Sequence, residues 1–340
     1  MTSTPPTDLA VDARGLVKTF AAQRAVFGVD LQVRRGEVLG VLGPNGAGKT
    51  TMLSMLATLL PIDGGRASVL GVDVARDPHR VRRLLGVTGQ YASVDENLTA
   101  TENLRLFGRL LGLPRAQARA RADELLEQFG LTDAAGRPIS QFSGGMRRRL
   151  DLATSLISHP PLIFLDEPTT GLDPRTRGQM WDTVRGLVAE GCTILLTTQY
   201  LDEADQLADR VAVIDHGRKV AEGTPEQLKS SVGSSTLQVR LADAARTSEA
   251  VGLLRERAGL APSASPESGA FSVPLTEPDG AADVLLLLRD QGLSLASAAL
   301  AKPSLDEVFL ALTGDRTTRT ETMRTETMRT ETDTSTEEVA

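Results

Sequence analysis

Cysteine is almost missing from this chain. Cys192 stands alone among 340 residues, which excludes an internal disulfide framework and fits a reducing, cytoplasmic setting. Its apolar neighbours make it read as a core thiol. Aromatic residues are 3% of the chain and histidines number three; the spacing of His79, His159 and His216 fits no metal site, so a surface or loop role is expected for each. No apolar run approaches the roughly 18 residues of a membrane-spanning helix, and the densest patch, VLLLLRDQG from Val284, gives way at once to charge. The N-terminus MTSTPPTDLAVDARG has neither a basic nor an apolar leader segment. No secretory signal is expected, and any membrane role is peripheral. Basic residues are scattered among acidic ones at a formal net charge of −7, so no basic stripe points to nucleic acid as the main partner.

What is present is enough apolar material, 41% of residues, for the core of one large and one small soluble domain. Residues 1–10 read as a flexible N-terminus. From about residue 11 to 229, short apolar runs alternate with helical stretches, the pattern of a mostly parallel α/β sheet. SSVGSS, within residues 230–236, reads as a linker. LQVRLA (Leu237 to Ala242) and FSVPL (Phe271 to Leu275) alternate as half-buried strands do, with helical segments between them. Ser304 and Glu307 form a capping box before the apolar face of Leu305, Val308, Phe309 and Leu312, and Gly314 stops that helix. Residues 237–314 therefore read as a small α+β domain without catalytic features. Beyond Gly314 the repeats TRTET, MRTET and MRTET lie in a segment of four arginines against seven carboxylates. With almost no large apolar side chains, residues 315–340 are expected to be a disordered tail.

VLGVLGPNGAGKTT places a strand, Val38 to Leu42, directly before Gly43-Pro44-Asn45-Gly46-Ala47-Gly48-Lys49-Thr50, a complete G-x-x-x-x-G-K-T phosphate-binding loop. Its glycines let backbone N–H groups converge on phosphate oxygens at a helix N-terminus; Lys49 reaches the β and γ phosphates, and Thr50 offers a hydroxyl to Mg²⁺. In PPLIFLDEP, the strand Leu162 to Leu165 delivers Asp166 and Glu167 at its C-terminal end. Asp166 suits the Mg²⁺ shell, and Glu167 suits a general base for an attacking water. QFSGGMRRRLDLATSLI begins a helix at Ser143, Gly144 and Gly145, a second anion-binding helix start that one nucleotide does not need. Two such starts in one domain suggest two copies facing each other across shared nucleotides.

On these motifs the chain resembles the ATPase subunits of ABC transporters, from about residue 11 to 314. Ser143 to Arg147 match the family's signature, Gly43 to Thr50 and Ile163 to Glu167 its two Walker motifs, and Gly171-Leu172-Asp173 its D-loop. The resemblance implies an ABC ATP-binding domain with a helical subdomain at about residues 91–160, with ATP and Mg²⁺ as cofactors. It extends the ATP contacts to Thr51 and, from the second copy, to Ser143, Gly144, Gly145 and Asp173. It also implies that Gln90 senses Mg²⁺ and the attacking water. Phe20 falls where the family stacks an aromatic on adenine; a core aromatic is the other reading.

GVTGQYASVDENLT, TTQYLDEADQLADRVAVIDHGR and PSLDEVFLALTG further resemble the daunorubicin-resistance type of this family. That type implies a head-to-tail homodimer at the cytoplasmic face of the cell membrane, under a separate permease that binds the hydrophobic or amphiphilic substrate. Most ABC ATPases carry histidine where this chain has Gln199. The family position implies a γ-phosphate contact, and an amide can position a water but cannot shuttle a proton or gain charge; an inert amide at a strand end is the alternative. Arg147, Arg148 and Arg149 have two open readings, contacts to the opposite nucleotide or to the permease. Pro114 to Gly130 read as one amphipathic helix. Two rival functions are a soluble ABC clamp on nucleic acid or the ribosome, and an importer ATPase. The single cassette without sustained heptads argues against the first, and the C-terminal resemblance against the second.

Overall fold

The computed structural model describes residues 8–21, 23–89, 94–232, 235–264, 269–275, 279–301, 304–306 and 308–309. Gln90, Glu307, Leu312, Gly314 and the repeat tail lie outside the described residues. The chain divides into two compact units between Pro225 and Glu226.

The first unit opens with an antiparallel hairpin, β1 (Leu9–Phe20) and β2 (Gln23–Arg34). Leu9 and Ala10 are thus strand residues and not part of a flexible end. The chain then enters the interior as β3 (Val38–Leu42), every residue of which is buried. After helix α1 (Lys49–Leu56) come β4 (Gly64–Val69), β5 (Val72–Asp73), α2 (Pro78–Leu84) and β6 (Leu85–Thr88). Three helices follow: α3 (Ala100–Leu110), α4 (Arg115–Gln128) and α5 (Gly144–Ser155). The unit closes with β7 (Leu162–Asp166), α6 (Pro174–Ala189), β8 (Thr193–Thr198), α7 (Leu201–Leu207), β9 (Arg210–Asp215) and β10 (Arg218–Gly223).

These strands form two sheets. The larger runs β10-β9-β3-β8-β7-β6, parallel from β9 to β6 with β10 antiparallel at one edge. The smaller, β2-β1-β4-β5, is wholly antiparallel. The larger sheet is the mostly parallel one expected, and the second is an addition to it. The cause of this addition is local: β1 and β2 lie only two residues apart in the chain, and strands so closely joined pair as a hairpin. One apolar core includes side chains of β1, β2, α1 and β4, among them Leu16, Leu31, Met52 and Val69. A second joins the other face of the parallel sheet to the helices, through Leu104, Leu125, Leu150, Ile163 and Leu196.

The second unit holds all but the first residue of α8 (Pro225–Val232), then β11 (Thr236–Leu241), α9 (Thr247–Ala258), β12 (Ser263–Ala264), β13 (Ala270–Pro274), α10 (Gly280–Asp290) and β14 (Leu295–Ala301). Its sheet order is β12-β13-β11-β14, and its core holds Leu237, Val239, Leu254, Phe271 and Leu288. Two corrections fall here. Ser230 and Ser231 are not linker but the last full turn of α8, their hydroxyls donating to the carbonyls of Glu226 and Leu228 at 2.7 Å each. The sheet also has two strands, β12 and β14, that the alternation of apolar residues did not reveal, because their side chains are largely exposed.

Candidate nucleotide-binding and hydrolysis site

Ligands of an open parallel sheet collect beyond the C-terminal ends of its strands. Here β3, β8 and β7 are consecutive neighbours, so the phosphate loop, Gln199 and the pair Asp166-Glu167 emerge side by side. A cleft of about 780 Å³ is lined there by Asn45, Lys49, Thr50, Glu167, Gly171 and Gln199, among others, while Asp166 stands behind Thr50 and is not in the lining. Gly46, Ala47, Gly48 and Thr51 also line it, as do Gly144 and Arg148 of α5.

Loop geometry follows from its glycines. Gly48 has φ +99°, and a Cβ there would sit 2.6 Å from the carbonyl oxygen of Ala25. Only glycine lets the backbone turn this tightly against β2 and start α1. Lys49 is buried at 4% exposure. Its ammonium donates to the carbonyls of Gly43 (2.8 Å) and Pro44 (3.1 Å) and lies 3.3 Å from Glu167 Oε1. The loop thus arches over its own lysine, with the cation facing the carboxylate across the cleft.

Asp166 Oδ1 accepts from Thr50 Oγ1 at 3.1 Å and also from the Thr197 hydroxyl of β8. A carboxylate and a hydroxyl in contact form an oxygen donor set that suits a hard divalent cation. Glu167 adopts φ +48°, a left-handed conformation that costs a non-glycine residue of order 1–3 kcal/mol and recurs at functional sites. Its backbone N–H is held by the Thr197 carbonyl at 3.0 Å and hydroxyl at 3.2 Å, and its Oε2 accepts from Thr170 Oγ1 at 3.1 Å. The strain turns Glu167 away from its neighbour, so two adjacent acidic residues take different positions.

Ser143 is the N-cap of α5, its hydroxyl accepting from the N–H of Met146 at 3.3 Å. A Cβ on Gly145 would meet Thr176 Cγ2 at 2.4 Å, so this glycine is required for helix contact whatever it does for phosphate. Thr176 is held in turn by Asp173, the N-cap of α6, which accepts from its N–H at 3.0 Å and its hydroxyl at 2.7 Å. Those bonds hold the Asp173 carboxyl below the usual range. Phe20, at the end of β1, is 46% exposed. It is therefore not a core aromatic, and it is not among the residues that line the cleft.

The three consecutive arginines of α5 take three directions. Arg147 pairs with Glu96 at 2.7 Å, Arg149 donates to the Phe129 carbonyl at 2.9 Å, and Arg148 reaches back to the end of β7. Burial lowers the pKa of the Arg148 guanidinium, an effect that Asp151, Asp166, Glu203 and Glu167 partly offset. None of this was legible in the run RRR, which carries no direction.

Glu203, on α7, was also missed. It is fully buried, and burial raises its carboxyl above the ordinary value of 4.5, with Thr198, Thr169, Trp181 and Arg177 pulling the other way. Those donors face it, yet neither oxygen completes a hydrogen bond of ordinary geometry among the described residues. A carboxyl whose pKa is raised on folding gives its full contribution below the unfolded value and loses it as pH rises through the folded one. Glu203→Gln is therefore expected to match the wild type near pH 4 and to grow relatively more stable as pH rises. Denaturant titrations across pH check this; a stability difference that does not move with pH would refute it. Cys192 carries no comparable role: burial pushes its thiol up to about 11.

The profile of the ABC transporter family matches residues 26–170. The chain is 56% identical to the daunorubicin/doxorubicin resistance ATP-binding protein DrrA of Streptomyces peucetius, over 92% of this chain and 94% of that protein. The chain belongs to the ABC transporter ATP-binding family. A doxorubicin resistance ATP-binding protein of Mycobacterium tuberculosis (strain ATCC 25618 / H37Rv) is 47% identical over 91% of this chain and 95% of its own length. Nod factor export ATP-binding protein I of Ralstonia nicotianae is 45% identical over 67% and 72%. Among solved structures, a dimeric, post-hydrolysis ATP-binding cassette bound to ADP and Pi aligns with a TM-score of 0.59 at 26% identity, covering 63% of this chain and 98% of that one. As a family member the chain is an ATPase, and its hydrolysis is coupled to transport. Among the described residues no helix is long and apolar enough to cross a membrane.

Proposed function

We propose that this chain powers export of hydrophobic, drug-like or amphiphilic compounds, as a peripheral subunit on the cytoplasmic face of a separate membrane permease. Two copies close head to tail around ATP, each supplying Ser143 to Gly145 and Asp173 to the nucleotide held by the other. The observation that carries the reading is the meeting of Lys49, Asp166, Glu167 and Gln199 at three neighbouring strand ends. The daunorubicin and doxorubicin resistance in the relatives' names supports the substrate class.

Lys49, Thr51 and the loop amides hold the phosphates, and Phe20, exposed outside the lined cleft, would stack on an adenine that extends beyond it. Thr50 and Asp166 would hold Mg²⁺, which supplies charge neutralisation on the phosphates when bound. Glu167 takes the proton of the attacking water. Gln199 donates from its amide to a phosphate oxygen and orients that water through its carbonyl, and Gln90 serves as the sensor of Mg²⁺ and water that the family position implies.

A strain lacking the chain and its permease tests the reading. Restored resistance and efflux with the wild-type pair, but not with Glu167→Gln, is the expected result; efflux independent of the chain would overturn it. Gln199→His is expected to introduce an imidazole titration into turnover between about pH 6 and 7. A pH–rate profile identical to the wild type in both height and shape would assign Gln199 no contact with the reacting groups.

A further inference from the structure

Arg148 sits in the second turn of α5, where its guanidinium pairs with Asp151 one turn on at 3.7 Å and donates its hydrogen bonds to backbone carbonyls. Nε donates to the Pro168 carbonyl at 2.9 Å and Nη1 to the Gly89 carbonyl at 2.6 Å. Nη2 donates to the carbonyls of Asp166 at 2.8 Å and Glu167 at 3.0 Å. One side chain, 14% exposed, thus joins three segments: the helix that begins at Ser143, the end of β7, and the residue that follows β6. The carbonyls it holds belong to Glu167 itself and to the residues on either side. Those peptides flank the left-handed backbone of Glu167, a conformation that persists only when its surroundings over-determine it.

From this geometry we infer that Arg148 is a positioning residue that fixes the Glu167 carboxylate for hydrolysis and couples its placement to the start of α5. The inference rests on the reading of Glu167 as general base. A rigid planar fork with five N–H donors can satisfy four carbonyls in divergent directions; a lysine ammonium has three donors at one point. Charge alone therefore does not replace it. Any shift of the α5 N-terminal turn moves the guanidinium, and with it the carbonyls on both sides of the Glu167 Cα. Arg147 and Arg149 make no such link: they bond to Glu96 and Ser140, and to Phe129.

The experiment compares Arg148→Lys, Arg148→Gln and, as a control, Arg149→Lys in the full chain, measuring kcat and KM for ATP, ATP-analogue affinity and thermal stability. Misplacing a catalytic group by about 1 Å costs about 100-fold. Arg148→Gln is expected to lower kcat about 10- to 100-fold with KM and analogue affinity changed less than about 3-fold. Arg148→Lys is expected to recover only a minor part of kcat and to stay folded, so it carries the test if the glutamine variant does not fold. Arg149→Lys is expected to keep the wild-type kcat. A folded Arg148→Lys with unchanged kcat, equal losses in the Arg148 and Arg149 variants, or a kcat loss matched by lost nucleotide affinity would each overturn the inference. Glu167→Gln separates the two claims: if that variant still hydrolyses ATP, the general-base reading fails first; if it does not and Arg148→Gln does, the failure belongs to Arg148.

Discussion

Glu167→Gln is expected to slow ATP hydrolysis by about 10²- to 10⁴-fold, the range supplied by a positioned general base, while ATP binding is retained. Glutamine reproduces the shape of the side chain and can keep the bond that Thr170 Oγ1 makes to Oε2 at 3.1 Å. What it loses is the ability to accept a proton from water. The substitution also removes a negative charge 3.3 Å from the Lys49 ammonium, so the lysine turns its full charge to phosphate and affinity holds or rises. The split is the diagnostic feature: a loss confined to kcat marks an interaction made in the transition state. Single-turnover hydrolysis alongside equilibrium binding of ATP measures both halves. Hydrolysis within about threefold of the wild type would move the general base to another group.

The parts of the site that were legible in the sequence are those whose chemistry is local. Val38 to Leu42 read as a strand because five apolar or glycine residues precede a glycine loop, and β3 has those bounds. Leu162 to Leu165 read as a strand because four apolar residues run from a proline pair to an acidic one, and β7 continues through Asp166. Ser143 read as a helix start because serine before two glycines offers a cap, and α5 begins at Gly144. The features that escaped depend on contacts between distant segments. Gly145 looks like a phosphate contact, yet Thr176, thirty-one residues on, sets its need for a missing side chain. Three arginines in a row differ by about 100° around a helix, and only the fold tells which one meets β7. Glu203 lies among charged neighbours in LDEADQ, where exposure is the default for every acidic residue.

Lys49→Ala is expected to weaken ATP binding by about 100-fold or more and to bring hydrolysis to background. A charge-assisted hydrogen bond in a buried site contributes about 1.5–3 kcal/mol, and about 2.7 kcal/mol is two decades of affinity. The damage has a second component. Glu167 is 9% exposed, and Lys49 is the cation placed against it. Without the lysine its carboxylate faces the incoming phosphates uncompensated, adding repulsion to the lost attraction. Lys49→Arg keeps the charge but sets a broad planar group where a compact ammonium fits between the Gly43 and Pro44 carbonyls, so it is expected to bind ATP weakly too. The two components separate in a double-mutant cycle read by calorimetry with a nonhydrolysable ATP analogue. Lys49→Ala combined with Glu167→Gln is expected to bind more tightly than Lys49→Ala alone, because the second change removes the uncompensated charge. Equal affinity of the single and double variants would show that the lysine acts on phosphate alone and that the ion pair plays no part in setting nucleotide affinity.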